Sequence, residues 1–220
     1  MKRQHALDQQ TNDNERLDDE GVIVVFPVTA NDTLGDRQLV DATGQGPFGF
    51  TLARNGNLLT TEQFDGPGGM GRGAAASYVM SDDDQGPLLR ASPSISNGGT
   101  DTCWFVLTDD QTLGFTSSFF ANGRISSYEV DDIGIVRLIQ AQASATDDPG
   151  NDNVAMGASD LSLSGDSQYL YQLNSVHGTI NAFRNNGDGT LMLIEQQTPF
   201  PQIAFGPSGG EAAPIGLAAN

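Results

Sequence analysis

A few side chains in this sequence combine a reactive type with a position that could belong to a site. His177 lies in LSLSGDSQYLYQLNSVHGTINAF, in a turn between two predicted strands, and its unperturbed pKa near neutrality suits a general base. Arg72 and Arg124 lie beside glycines that open two other predicted strands, and a guanidinium can hold a carboxylate or phosphate by paired hydrogen bonds. These three are the candidate catalytic residues. The alternative for His177 is a solvated turn residue that contacts no ligand.

Four further residues are candidates for substrate binding: Trp104, Asp160, Asn122 and Glu62. Trp104 could stack on a sugar ring, or it could be a packing residue of the core. Asp160 could line a site, or its carboxylate could accept hydrogen bonds from neighbouring backbone. The sequence has no Cys/His spacing of a zinc site and no EF-hand pattern, so it predicts neither a metal nor a cofactor.

The elements that carry these residues recur along the chain. A glycine opens a short strand that ends on an aromatic residue in GVIVVFPV, GAAASYVM, GRISSYEV and GTINAFRN. The aromatic positions are Phe26, Tyr78, Tyr128 and Phe183, spaced 52, 50 and 55 residues apart. Similarity at a fixed period is typical of repeat architectures.

Each period contains four predicted strands, which we label a to d. Strand a is 48–52 and its equivalents, strand b begins at Leu58, Leu113 or Tyr169, strand c ends on the aromatic residue, and strand d follows a polar turn. Turns such as RNG, TDDQ and NNGDG have hairpin chemistry. Four antiparallel strands in a period of about 50 residues indicate the blades of an all-β β-propeller.

The repeat also sets the predicted boundaries. Residues 1–20 are expected to be a disordered or poorly structured head, and residues 21–220 a partial β-propeller. The partial propeller comprises a half blade at 21–42, blades at about 47–91, 102–142 and 159–196, and a final strand at 214–219. Segments 91–103, 141–159 and 198–214 are predicted to be loops between strand d of one blade and strand a of the next. We expect the site at the mouth formed by these loops and the b–c turns.

The charge of the chain excludes some partners. With 28 acidic and 10 basic residues, the net charge of −18 would repel nucleic acid and anionic lipid. No stretch is long and apolar enough to span a membrane. The first residues lack the apolar core of a signal peptide, so the expected compartment is the cytoplasm by default.

The motifs PFGFTLARNGNLLTTEQFDG, GRISSYEV and LSLSGDSQYLYQLNSVHGTINAFRNNGDGTL resemble the seven-bladed β-propeller lactonase family. This family includes 6-phosphogluconolactonase-like and carboxymuconate-cyclising propellers, and the resemblance covers about residues 21–220. It implies a lactonase-like protein whose partner is a small lactone or sugar, and intact relatives that are in some cases exported. It also implies that this chain is the C-terminal portion of such a propeller.

Two questions remain open at the level of sequence. The chain is either a lactonase-like enzyme or a non-catalytic propeller that binds a protein or glycan, since one fold hosts many functions. About three and a half blades are fewer than the four to eight of closed propellers. We therefore expect either a missing N-terminal propeller segment or self-association.

Overall fold

The glycine-to-aromatic segments form central strands of antiparallel sheets. The computed structural model describes residues 3–8, 21–64, 70–81, 86–120, 123–144, 157–200, 214 and 216–219. It contains three sheets, whose strands are neighbours in chain order throughout. Within these ranges there is no helix, and so none that could cross a membrane.

The first sheet, which we call the N-terminal sheet, has three strands: β1 (Arg3–Asp8), β2 (Val22–Pro27) and β3 (Gln38–Asp41). Strand β2 lies in the middle and pairs with both neighbours. Part of the head that the sequence predicts to be poorly structured is therefore strand β1, whereas residues 9–20 lie outside the described residues.

The second sheet has seven strands and contains two blades. These strands are β4 (Pro47–Leu52), β5 (Leu58–Glu62), β6 (Gly73–Met80), β7 (Leu88–Leu107), β8 (Leu113–Phe120), β9 (Ile125–Val130) and β10 (Val136–Ser144). Strand β7 pairs with β6 up to Gly99 and with β8 from Thr100 onwards. It is thus strand d of blade 1 (β4 to residue 99) and strand a of blade 2 (residue 100 to β10).

Strand β7 corrects one sequence prediction. The segment 91–103 was expected to be a long loop between two blades, and the structure shows continuous strand there. The positive φ angles of Gly98 and Asp101 mark the place where the strand changes partners. Because most side chains of this stretch are polar, the strand pattern in the sequence was weak.

The third sheet is blade 3, with β11 (Ala158–Leu163), β12 (Tyr169–Asn174), β13 (Thr179–Asn185) and β14 (Leu191–Gln197). The final strand expected at 214–219 is not a strand at its described residues. Instead, the backbone N–H groups of Leu217 and Ala219 donate to Asp160 Oδ2 and Ser162 Oγ on β11, at 2.6 and 3.0 Å.

Three apolar clusters join consecutive units. The first links the N-terminal sheet to blade 1 and contains Tyr78, the second links blades 1 and 2 and contains Tyr128, and the third links blades 2 and 3 and contains Phe183. The recurring aromatic residue of each strand c therefore packs against the preceding unit. All three are at most 1% exposed, and their burial explains why an aromatic recurs at this position. Units of four antiparallel strands stacked in this way confirm the β-propeller prediction.

Candidate functional site

The b–c turns of the three blades lie at the same end of the blades, because strands alternate in direction. Arg72 precedes β6, Arg124 precedes β9 and His177 precedes β13. Arg72 is exposed, whereas Arg124 and His177 are half-buried. The structure thus places the three predicted catalytic residues in equivalent turns of successive blades.

Arg72 and Arg124 both lie beside residues 97–100 of β7. Arg124 Nη1 donates to the carbonyl oxygen of Asn97 at 3.4 Å. Gly71, next to Arg72, donates its backbone N–H to Thr100 Oγ1 at 2.9 Å. The guanidinium of Arg72 itself lies over the ring of Phe64, 4.7 Å from the ring centroid, as in a cation–π contact.

One buried donor of Arg124 is unpaired within the described residues. Its Nε is buried and has no hydrogen-bond partner among the described residues. Buried N–H groups are nearly always bonded to protein, water or ligand, so this atom needs an acceptor. An oxygen of a bound anion or a water molecule would supply it.

Hydrogen bonds connect the turn of Arg124 to the blade of His177. Gln172 Nε2 of β12 donates to the carbonyl oxygen of Gly123 at 2.7 Å. Gly157 donates to the carbonyl of Phe119 at 2.8 Å and accepts from the N–H of Ser175 at 2.7 Å. The two turns are therefore held together at several points, although they belong to different blades.

Glu62 lies deeper than the arginines and is completely buried. Its carboxylate accepts hydrogen bonds from Thr43 Oγ1, at 2.6 Å, and from Ser94 Oγ. Burial raises the pKa of Glu62, and the bonds from the two hydroxyls and from the backbone of Gly44 counteract only part of this effect. The carboxyl is thus a structural acceptor between the N-terminal sheet and blade 1, and its bonds are already made within the protein.

Trp104 and Asp160 also have protein partners. The ring of Trp104 packs against that of Phe48, with 5.3 Å between the centroids and a tilt of 51°. Asp160 accepts the N–H of Leu161 at 2.8 Å and that of Leu217 at 2.6 Å. Burial raises the pKa of Asp160, and these two bonds lower it in part. Asn122, the fourth predicted binding residue, lies outside the described residues.

Asn97 is a residue of this region that the sequence prediction missed. It is 1% exposed; its Oδ1 accepts the N–H of Gly99 at 2.7 Å, and its Nδ2 donates to Thr102 and Thr116 at 3.2 and 3.3 Å. The amide fixes the bend of β7 against blade 2 and presents its own carbonyl to Arg124. The only sign of Asn97 in the sequence is that it precedes two glycines, a pattern typical of a turn, and this pattern predicts a loop.

The described residues offer few groups for other chemistry. In these ranges no three His, Cys, Asp or Glu side chains come together in a way that could hold a metal ion. The thiol of Cys103 is buried, and burial raises its pKa to about 12, so it is no nucleophile near neutral pH.

Comparison with solved structures shows which proteins share this architecture. A candidate 6-phosphogluconolactonase from Bacteroides uniformis matches with a TM-score of 0.64 and 19% identity, over 86% of this chain and 55% of that one. The periplasmic gluconolactonase of Pseudomonas aeruginosa matches with a TM-score of 0.51 and 15% identity, over 96% and 71%. The β-propeller domain of Cps50 (Swd1) from Myceliophteria thermophila matches with a TM-score of 0.55 and 11% identity, over 83% and 55%.

At these identities the likeness shows the fold, and the chain is a β-propeller protein. It spans about half the length of the first structural relatives, 55% in the case of the Bacteroides uniformis protein. No family model matches the sequence, and no curated protein matches it significantly. Since one relative is the propeller domain of Swd1, the fold alone does not select an activity.

Proposed function

We propose that this chain is part of a lactonase-like β-propeller that hydrolyses or forms the lactone of a small sugar or carboxylic acid. The observation that carries the proposal is the half-buried guanidinium of Arg124, whose buried Nε has no partner among the described residues. A half-buried guanidinium pairs with a carboxylate or phosphate through charge-assisted hydrogen bonds, and it would offset locally the repulsion of anions by a chain of net charge −18. A candidate 6-phosphogluconolactonase and a periplasmic gluconolactonase among the structural relatives support the same class.

In this proposal Arg124 and Arg72 bind the carboxylate or phosphate of the ligand, or the oxyanion that forms when a lactone carbonyl is attacked. Donors placed at a developing oxyanion stabilise the transition state more than the ground state. His177, in the adjacent turn, takes the proton of the attacking water or hydroxyl. Glu62, Trp104 and Asp160 receive no catalytic part here, because their polar groups or rings already contact protein partners.

The test is an assay of lactone hydrolysis at several salt concentrations, with 6-phosphogluconolactone and gluconolactone as substrates. Arg124→Ala should raise KM for the phosphorylated substrate alone if the arginine binds phosphate, and lower kcat for both substrates if it binds the oxyanion. Arg37→Ala removes the same charge from an exposed residue of the N-terminal sheet region and is the matched control.

His177→Ala should lower kcat at least about a hundredfold, the smaller end of the range for a general base. An unchanged kcat would make His177 a turn residue. A folded protein without turnover of either substrate would contradict the enzymatic proposal and leave the non-catalytic binding propeller as the alternative.

We also propose that a further blade covers the outward face of blade 3, supplied by a longer chain or a second copy. Tyr169, Met192 and Ile194 are 37%, 41% and 48% exposed there, on the opposite face from the cluster that packs on blade 2. Sedimentation of the isolated chain at several concentrations tests self-association. A monomer at all concentrations would leave only the longer chain.

A further inference from the structure

The N-terminal sheet has three of the four strands of a blade. Its middle strand, β2, is strand c, and β3 is strand d. Strand β1 pairs with the other edge of β2 and approaches β4, as β5 approaches β7 and as β8 approaches β11, so it has the place of strand b. No described strand pairs with the free edge of β1, where strand a would lie.

The C-terminal residues have the place of strand a in a blade after blade 3. Residues 214–217 read Pro-Ile-Gly-Leu and repeat the pattern Pro-Phe-Gly-Phe of residues 47–50 in β4, which is strand a of blade 1. Successive strands a are neighbours, since β4 contacts β7 and β7 contacts β11. The N–H groups of Leu217 and Ala219 likewise donate to side chains of β11. Residues 216–219 thus lie beside a strand a, but no described strand pairs with them.

The glycine of the shared pattern shows what a strand a contacts in this protein. A Cβ at Gly49 would overlap with the backbone of Cys103 and Trp104, in strand a of blade 2. A Cβ at Gly216 would meet no atom within 4 Å. In β4 the glycine therefore admits the next strand a, whereas Gly216 has no such neighbour among the described residues.

The side of blade 1 that faces the N-terminal sheet is uncovered where that strand a would pack. Phe50 and Phe105 are equivalent, since each lies opposite a threonine, Thr60 or Thr116, two residues after the partner of the recurring aromatic. Phe105 packs on blade 1 and is 3% exposed, whereas Phe50 is 39% exposed. A strand a in the N-terminal sheet would cover Phe50 in the way that blade 1 covers Phe105.

The outer faces of the first and last units are also uncovered. Leu59, Phe115 and Tyr171 are equivalent, because each lies opposite the residue before the recurring aromatic. Leu59 and Phe115 are fully buried in the clusters that join their blades to the next blade, whereas Tyr171 is only half-buried. Phe26, the first of the recurring aromatics, is half-buried too. Within the described residues, blade 3 has no following unit and the N-terminal sheet has no preceding one.

We propose that a second copy of this chain supplies both neighbours. The N-terminal sheet of one copy packs on blade 3 of the other, and residues 216–219 of that other copy pair with β1 as its strand a. This arrangement rests on the proposal that a further blade covers blade 3, and it names the partner. One contact completes both parts, because strands b to d and strand a together make one blade.

The count of units is compatible with a closed ring. The N-terminal sheet and three blades are four units, and two copies joined head to tail twice would have eight, within the four to eight blades of closed propellers. A longer chain would have to bring a strand a to the N-terminal sheet and a separate sheet to residues 216–219. The second copy provides both and leaves no strand edge open.

The first experiment is a disulfide between the two copies. Thr51 of strand a pairs with Leu59 of strand b in blade 1, and the equivalent residues are Ala218, from the shared pattern, and His5, which lies opposite Val25. Opposite residues of paired strands are close enough for a disulfide. The variant His5→Cys with Ala218→Cys should therefore form a covalent dimer on mild oxidation. The control is Leu39→Cys with Ala218→Cys, because Leu39 is 53% exposed on β3, at the other edge of the sheet, and should not form this link.

The second experiment is sedimentation of the whole chain in about 0.15 M and about 1 M NaCl, where we expect a dimer that is favoured by salt, since each copy has a net charge of −18. Phe50→Asp should weaken the dimer at least about tenfold, because its carboxylate would be buried without a partner. Ile133→Asp introduces the same charge at a residue that is 64% exposed in a c–d turn, and it should leave the dimer unchanged. Circular dichroism verifies that both variants are folded.

Three results would overturn the arrangement. A monomer at every concentration and salt would leave the covering of blade 3 to a longer chain. A disulfide between residues 5 and 218 within one chain would mean that the chain closes on itself. A dimer that cross-links equally in the control, or not at all, would be joined through another surface. Each of these results is independent of lactone turnover, because none of the substituted residues belongs to the proposed lactone site.

Discussion

Gly134 and Gly187 allow a direct test of how the blades are held together. Both are in c–d turns and have nearly the same left-handed backbone, with φ of +84° and +80°. A Cβ at Gly187 would meet no atom within 4 Å, whereas a Cβ at Gly134 would overlap with the side-chain amide of Asn57 from the preceding blade.

Gly187→Ala should therefore cost only the conformational penalty of a left-handed residue, about 1–2 kcal/mol. Gly134→Ala should cost the same amount plus the displacement of Asn57. That displacement loses one hydrogen bond to Ile133, about 1 kcal/mol, and overpacks a buried contact, about 1–3 kcal/mol. The difference between the two variants should lie at about 1–3 kcal/mol.

The measurement is the free energy of unfolding from urea titrations, with thermal unfolding as a second readout. A double-mutant cycle with Asn57→Ala isolates the contact between the blades. Asn57→Ala leaves only Cβ at position 57, 3.2 Å from an added Cβ at position 134, so Gly134→Ala should then cost little more than Gly187→Ala. Equal costs for the two single variants, or additive costs in the cycle, would refute the idea that Asn57 and Gly134 fix this interface.

Three further outcomes follow from the hydrogen bonds and ion pairs. Burial raises the folded-state pKa of Glu62 above 4.5, so its contribution to stability is complete below pH 4.5 and is lost as the pH rises through the folded-state pKa. Urea titrations should show this loss of stability for the wild type but not for Glu62→Gln. Asp160→Ala should speed amide exchange of Leu217 about tenfold, as expected for the loss of a charge-assisted bond, and Asp160→Asn should restore most of the protection. Arg54→Ala should change the free energy of unfolding by less than about 1 kcal/mol, since both partners of its ion pair with Asp109 are exposed; a larger loss would mean that the pair is coupled to other contacts.

Much of the architecture could be predicted from local pattern. The starts of β5, β8 and β12 at Leu58, Leu113 and Tyr169 are those expected from the repeat. Hairpins of this kind are specified by their turn residues and by the alternation of apolar and polar side chains along neighbouring strands. Both features can be read within a single repeat of about 50 residues. The recurring aromatic residue marked the period, whereas its packing against the preceding unit came from the structure.

The position of the candidate site could be predicted only in part. The period places Arg72, Arg124 and His177 in equivalent turns, because equivalent residues in a repeat take equivalent places. It does not give the partners of their side chains. Asn97 was missed because its amide bonds join residues that are distant in sequence, such as Thr116, and polar strands lack a clear periodicity.

The sequence by itself therefore determined most of the strands, the hairpin turns and the propeller class, which depend on interactions between residues close along the chain. Only the tertiary structure decided that residues 91–103 are a strand shared by two blades, that Glu62 is a buried acceptor, and that Asp160 holds the C-terminal residues. Only the tertiary structure also showed that the side chains of Asn55 and Asn57 in one blade donate to the carbonyl oxygens of Asp132 and Ile133 in the next. The residues in these two contacts are 77 and 76 positions apart, so a pattern of neighbouring residues does not show which carbonyl each side chain meets.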